Sequence, residues 1–129
     1  MRVLLDTHAF VWWARNEAAL SRRARATIAE GANECLFSIA SAWEIAIKVS
    51  LGKLPIIHGR LEQVIPEQLA ANGISMLPIE IGHVARVANL PFHHRDPFDR
   101  LLAAQALGEG IAIVSADKVF ESYGVKRIW

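Results

Sequence analysis

Cysteine is nearly missing. The single Cys35 among 129 residues cannot close an internal disulfide, and no cysteine pair is present to build a structural zinc site. A reducing, cytoplasmic setting is expected. Long apolar runs are lacking as well. Val3-Leu4-Leu5 ends at Asp6, far short of a signal-peptide core, and no stretch approaches the roughly 18 apolar residues of a membrane span. Neither sign of charge dominates, with 14 Lys and Arg against 13 Asp and Glu. Binding to a polyanion must therefore come from a local basic cluster, because the overall field is close to neutral. Repeats, linkers and low-complexity segments are absent. What is plentiful is core material, since 53% of the residues are hydrophobic and 21% charged, which excludes a disordered chain. The length suits one domain, expected over 1–129.

Short, continuously apolar runs at Val3-Leu4-Leu5, Cys35-Leu36-Phe37, Ser75-Met76-Leu77 and Ile111-Ala112-Ile113-Val114 suit strands buried on both faces of a parallel sheet. A weaker run closes the sequence over 125–129. Helical patterns fall between them, over 7–15, 21–30, 39–51, 59–72, 81–89 and 97–108, several closed by Gly or Asn. Pro55, following Gly52, is expected to stop the third, and 90–96 reads as a loop. This alternation predicts an α/β layered fold.

The acids fall in telling places. Asp6 directly follows the first apolar run and Asp117 comes three residues after Val114, so both belong at the carboxyl ends of parallel strands, the edge where open α/β sheets bind ligands. Each also reads as a helix N-cap. Glu44 lies in Ser41-Ala42-Trp43-Glu44, which matches a capping box, and it stands four residues before Lys48. Ala40, Ile47 and Leu51 share its helical stripe, so this acid sits on an apolar face and needs a partner. In Asp96-Pro97-Phe98-Asp99, Asp96 is an apt N-cap ahead of a proline at the first helical position. Asp99 has Ala103 and Ala106 on its stripe, small residues that let the helix approach the sheet with the acid facing inward, which favours a role in a site.

Asp6, Glu44, Asp99 and Asp117 can thus converge on one end of the sheet. Clustered carboxylates repel unless a cation neutralises them, and oxygen-only ligands select a hard ion, Mg²⁺ or Mn²⁺. Such an ion can assist hydrolysis of a phosphodiester. Arg95, Arg100, His93 and His94 adjoin Asp99, and Lys48 and Lys53 belong to the region of Glu44; all are candidates for phosphate contacts or for ordinary solvated charge. The Ser115 hydroxyl can orient Asp6 or close off a buried strand. His8, His58, His83, His93 and His94 show no His-Glu-x-x-His spacing, so zinc is not expected. Trp12, Trp13 and Trp43 read as core or interface residues, and adjacent Trp12 and Trp13 cannot share a helix face.

Taken in order, Leu4-Leu5-Asp6-Thr7-His8, Ser41-Ala42-Trp43-Glu44-Ile45, the run His94-Arg95-Asp96-Pro97-Phe98-Asp99-Arg100-Leu101-Leu102-Ala103-Ala104-Gln105-Ala106, and Val114-Ser115-Ala116-Asp117 resemble the VapC-type PIN-domain toxins. The resemblance runs over nearly the whole chain. It implies a three-layer α/β/α fold with a mostly parallel sheet of four to five strands. It also implies Mg²⁺-dependent cleavage of RNA, with Mn²⁺ able to substitute, a VapB-like antitoxin as partner, and a homodimer. Carried onto this sequence, the family's acidic site falls on Asp6, Glu44, Asp99 and Asp117, with Asp6 and Asp99 as direct metal ligands. Three other readings fit less well. A receiver-like signalling domain needs paired acids beside the first strand and a Lys-Pro near the last, and neither is here. A haloacid-dehalogenase-like phosphatase needs a second Asp where this chain has His8. A catalytically silent PIN-like module that binds RNA or a partner would not need all four acids.

Overall fold

The computed structural model describes residues 1–54 and 59–129. Its centre is β1 (Arg2–Leu5), where Val3, Leu4 and Leu5 are wholly buried. Burial on both faces is what a continuous apolar strand requires, and the sheet supplies it. The other strands are β2 (Glu34–Ser38), β3 (Ser75–Leu77), β4 (Ala112–Val114) and β5 (Arg127–Ile128), all parallel, in the order β3-β2-β1-β4-β5. Successive side chains of a strand point to opposite faces. Val3 and Leu5 accordingly join one core with Phe10, Phe37 and Val114, and Leu4 joins the other with Leu36, Leu102 and Ile113.

The helices α1 (Thr7–Ala14), α2 (Arg22–Ala29), α3 (Ile39–Ser50), α4 (Leu61–Ala71), α5 (Ile81–Val87) and α6 (Pro97–Glu109) lie close to the spans expected from the sequence, and α7 (Val119–Ser122) is an extra turn. The three-layer α/β/α reading holds, with all five strands parallel. Helix α6 packs tightly through Ala103, Ala104 and Ala106, each at most 1% exposed. A helix lined with alanine comes close to the sheet, which brings its first turn, with Asp99, down toward the strand ends.

One capping assignment is corrected. Ser41 does not cap α3, because Ser38 does, its hydroxyl accepting from the Ala40 amide at 3.0 Å. Ser41 is already inside the helix, so Ser41 and Glu44 form no capping box. The C-terminus of α3 is closed by Gly52, at φ +70°. Its amide donates to Val49 and that of Lys53 to Lys48, at 3.0 and 2.8 Å, the paired bonds of a Schellman motif. Pro55, expected to stop this helix, lies outside the described residues, as does His58. Among the described residues no atom would meet a Cβ at Gly52 within 4 Å, so Gly52→Ala should cost the left-handed backbone penalty, about 1 kcal/mol, readable as a lower urea midpoint with an unchanged slope.

Candidate metal centre

Strand order reverses beside β1, since β2 and β3 extend the sheet on one side and β4 and β5 on the other. Between β1 and β4 lies the switch point at which open α/β sheets leave a crevice. Leu5 pairs with Val114, and the Asp6 amide donates to the Val114 carbonyl at 3.1 Å. Asp6 and the segment Ser115–Asp117 therefore leave the sheet side by side. Helix α6 crosses back to feed β4, so its first turn, with Asp99, stands over the same carboxyl edge.

Asp6 is 6% exposed. Its Oδ1 accepts from the Ala9 amide at 2.7 Å, so it does cap α1, as its position allowed. Burial pushes its carboxyl above the ordinary range, against the opposing pull of the Ser115 hydroxyl and the Ala9 amide. Ser115 is itself fully buried, and its hydroxyl also accepts from the Asp117 amide at 3.0 Å.

Glu44 has the partners that its apolar stripe demanded. Thr7 Oγ1 donates to Glu44 Oε1 at 2.6 Å, and Lys48 Nζ lies 3.1 Å from Oε2. Ser41 Oγ sits 2.9 Å from the same Thr7 hydroxyl. The stripe itself is graded, running from buried Ala40 to Leu51, which is 61% exposed. Lys48, a candidate phosphate contact, is paired with Glu44.

Asp99 is pushed up to about 6, first by burial and next by the charge of Asp96, with Asp117 adding to the rise and His94 opposing it. Its Oδ2 lies 3.2 Å from His94 Nε2. Asp96 is exposed and caps α6, accepting from the Phe98 and Asp99 amides at 2.9 and 3.0 Å. Asp117 is also exposed, its Oδ1 accepting from the Val119 amide at 3.0 Å. Asp6 feels Glu44, and Asp99 feels Asp96 and Asp117, so the acids fall into two groups. Among the described residues, no three His, Cys, Asp or Glu side chains close into a cage. Magnesium does not demand one, because it keeps several waters and takes one or two carboxylates. An all-oxygen donor set with Asp6 and Asp99 as the sheltered acids fits such an ion.

Arg100 is a correction. Expected as a phosphate contact, it is only 5% exposed, and its guanidinium donates to the carbonyls of Pro91, Leu90 and Val87 at 2.8, 3.2 and 3.4 Å while lying 4.1 Å over the Phe92 ring. It holds the 90–96 loop against α6. Arg95 is exposed, as a phosphate contact would need to be. Trp12 stacks on His8 at 5.5 Å and meets Trp129 at a tilt at 5.8 Å, and Trp13 donates to Asn72 at 3.0 Å. Trp43, beside Glu44, is the open one. It is 59% exposed and stands edge-on to Phe98 at 5.1 Å. Thr7 and Tyr123 were not singled out from the sequence, and Ser41 was read only as a helix cap. Thr7 and Ser41 adjoin motif acids, but Tyr123 carries no local signal.

The PIN domain family matches residues 3–126. The chain belongs to the PIN-domain family. This PIN domain is 41% identical over 61 residues to Ribonuclease VapC16 of Mycobacterium tuberculosis strain ATCC 25618 / H37Rv. That match covers 47% of the chain and 43% of the relative, so the chain spans less than half the length of the curated relative it matches. The solved structure of VapBC2 from Rickettsia felis, bound to a DNA fragment from their promoter, superposes with a TM-score of 0.69 at 15% identity, over 98% of this chain and 97% of that one. FitAcB from Neisseria gonorrhoeae gives 0.63 at 20% identity, over 97% and 95%. These likenesses establish the PIN fold. No helix among the described residues is long and apolar enough to cross a membrane.

Proposed function

We propose that this PIN domain is a divalent-metal-dependent endoribonuclease, the toxin of a toxin–antitoxin pair, with Asp6 and Asp99 as the direct ligands of Mg²⁺. The observation that carries this reading is the pair of sheltered carboxyls, Asp6 and Asp99, both raised above their ordinary range at the switch point of the sheet. Sheltered acids with raised pKa values are poised for a cation, which would relieve the same repulsion that protonation relieves. The relative named as a ribonuclease and the superposed VapBC assembly point the same way. When bound, the ion supplies Lewis acidity at a phosphodiester and lowers the pKa of water.

The chain's own groups do the positioning. Asp6 holds its carboxylate through the Ala9 amide, and Asp99 through His94. Glu44, fixed by Thr7 and Lys48, and Asp117 add negative charge around the crevice and can orient water there. Arg95, which is exposed, and His94, which is part-buried, remain candidates for substrate contact; Ser115, fully buried with its hydroxyl held by the Asp117 amide, does not. A VapB-like antitoxin is the expected protein partner, and Mn²⁺ is expected to substitute for Mg²⁺.

The test is cleavage of fluorogenic RNA by the purified protein, with Mg²⁺ and then with EDTA. Activity should require the metal and disappear in Asp99→Asn. Asp96→Asn should retain it, because Asn caps a helix as well as Asp does. A dead Asp96→Asn beside an active Asp99→Asn would move the ligand to Asp96. Metal-independent cleavage would end the reading.

A further inference from the structure

His94 is suspended between two side chains. Its Nε2 lies 3.2 Å from Asp99 Oδ2 and its Nδ1 2.8 Å from the Tyr123 hydroxyl. Donor accounting fixes the direction of both bonds. A phenol has one proton to give and two lone pairs to fill. Arg100 Nη1 can only donate, and it reaches the phenolic oxygen at 3.2 Å; the His94 amide does so at 3.3 Å. With both lone pairs engaged, the phenol must give its own proton away. Two acceptors are in reach, the His94 carbonyl at 3.3 Å and the His94 Nδ1 at 2.8 Å, and the ring nitrogen is nearer. An imidazole that accepts at Nδ1 carries its proton on Nε2, which then donates to Asp99 Oδ2.

We propose that Tyr123 is a positioning residue for Asp99. By fixing the Nε2–H tautomer of His94, it pins one carboxylate oxygen of Asp99 and leaves the other for the cation. Tyr123 is 6% exposed and Arg100 5%, so water does not compete well for these bonds, and the buried guanidinium acquires a second task as the donor that sets the direction of the chain. The inference rests on Asp99 as a metal ligand, argued above. Partners of this kind, one step removed from a metal, fix ligand orientation, and their loss weakens affinity by about 10-fold or more.

Mn²⁺ binding, followed by the electron paramagnetic resonance signal of the free ion, tests it alongside RNA-cleavage kinetics. Tyr123→Phe keeps the ring and removes the hydroxyl. It should weaken Mn²⁺ binding about 10-fold and lower kcat with KM for RNA nearly unchanged. His94→Gln places an amide donor near the Nε2 position without needing a tautomer, so adding Tyr123→Phe to His94→Gln should cause no further loss. Wild-type Mn²⁺ affinity in Tyr123→Phe, or full additivity of the two changes, would overturn the proposal. Should Tyr123→Phe not fold, His94→Gln against His94→Ala decides: Gln keeps affinity and Ala loses it if the proposal holds, and equal losses overturn it. Asp99→Asn separates the two levels. If that variant binds Mn²⁺ normally, the ligand assignment fails and takes this inference with it; if it loses the ion while Tyr123→Phe and His94→Ala do not, only the inference fails.

Discussion

Replacing Asp6 by Asn is expected to abolish RNA cleavage while leaving the protein as stable as before, or more so. The side chain is 6% exposed and its carboxyl is raised by burial, so the fold disfavours the charged form of this group and a neutral amide removes that penalty. Asn keeps the shape and the oxygen that accepts from the Ala9 amide at 2.7 Å, so the cap of α1 survives. What is lost is the anionic oxygen for the cation. A loss of roughly a thousandfold or more in kcat, about 4 kcal/mol of transition-state stabilisation, is the scale for removing such an electrostatic element. Cleavage assays paired with urea unfolding check both halves. A variant that unfolds at clearly lower urea would mark Asp6 as structural first.

The second large effect joins pH to metal. The Asp99 carboxyl moves from its ordinary 3.8 to about 6, which represents on the order of 3 kcal/mol between its charged and neutral forms. The sign follows from proton uptake. Between those two values the folded protein binds more protons than the unfolded chain, so this group's contribution is fully present at low pH and is lost as pH rises through about 6. Asp99→Asn should therefore match the wild type in stability near pH 4 and exceed it at pH 7.5. Mn²⁺ should raise the wild-type Tm by roughly 5 °C at pH 7.5 and much less at pH 5, where protons compete for the same oxygens. Thermal unfolding at the two pH values, with and without Mn²⁺, reads this directly. An equal metal shift at both, or none in either, would contradict the assignment of Asp99.

Much of the fold was legible because its strands are central. Val3-Leu4-Leu5 and Cys35-Leu36-Phe37 read as buried on both faces, and they are. Their order in the sheet is not written in any local pattern. Glu44 was found through the conflict between its charge and its apolar stripe, but its neighbour Ser41 misled, because Ser-x-x-Glu spacing fits a helix interior as well as a helix start and only Ser38 has the extended backbone of a cap. Arg100 was misread for a general reason. A charged residue beside an acid is by default solvated, and nothing nearby in sequence announces that loop carbonyls will surround it. Tyr123 is harder still, since it meets His94 across 29 positions and α7, the turn it follows, is four residues long, too short to show a period.

The register between β1 and β4 has a consequence for how such a chain can change over time. Leu5 faces Val114, so the point where Asp6 leaves β1 and the point where the short turn to Asp117 leaves β4 are set side by side by the sheet's own repeat. Substitutions can accumulate widely, as a TM-score of 0.69 at 15% identity attests. An inserted or deleted residue in either strand is another matter. It would slide one acid by about 3.3 Å and turn it to the opposite face. Length variation should therefore be confined to the far edge of the sheet, where Met1, Arg2 and Gly110 lie and no acid of the crevice depends on the count.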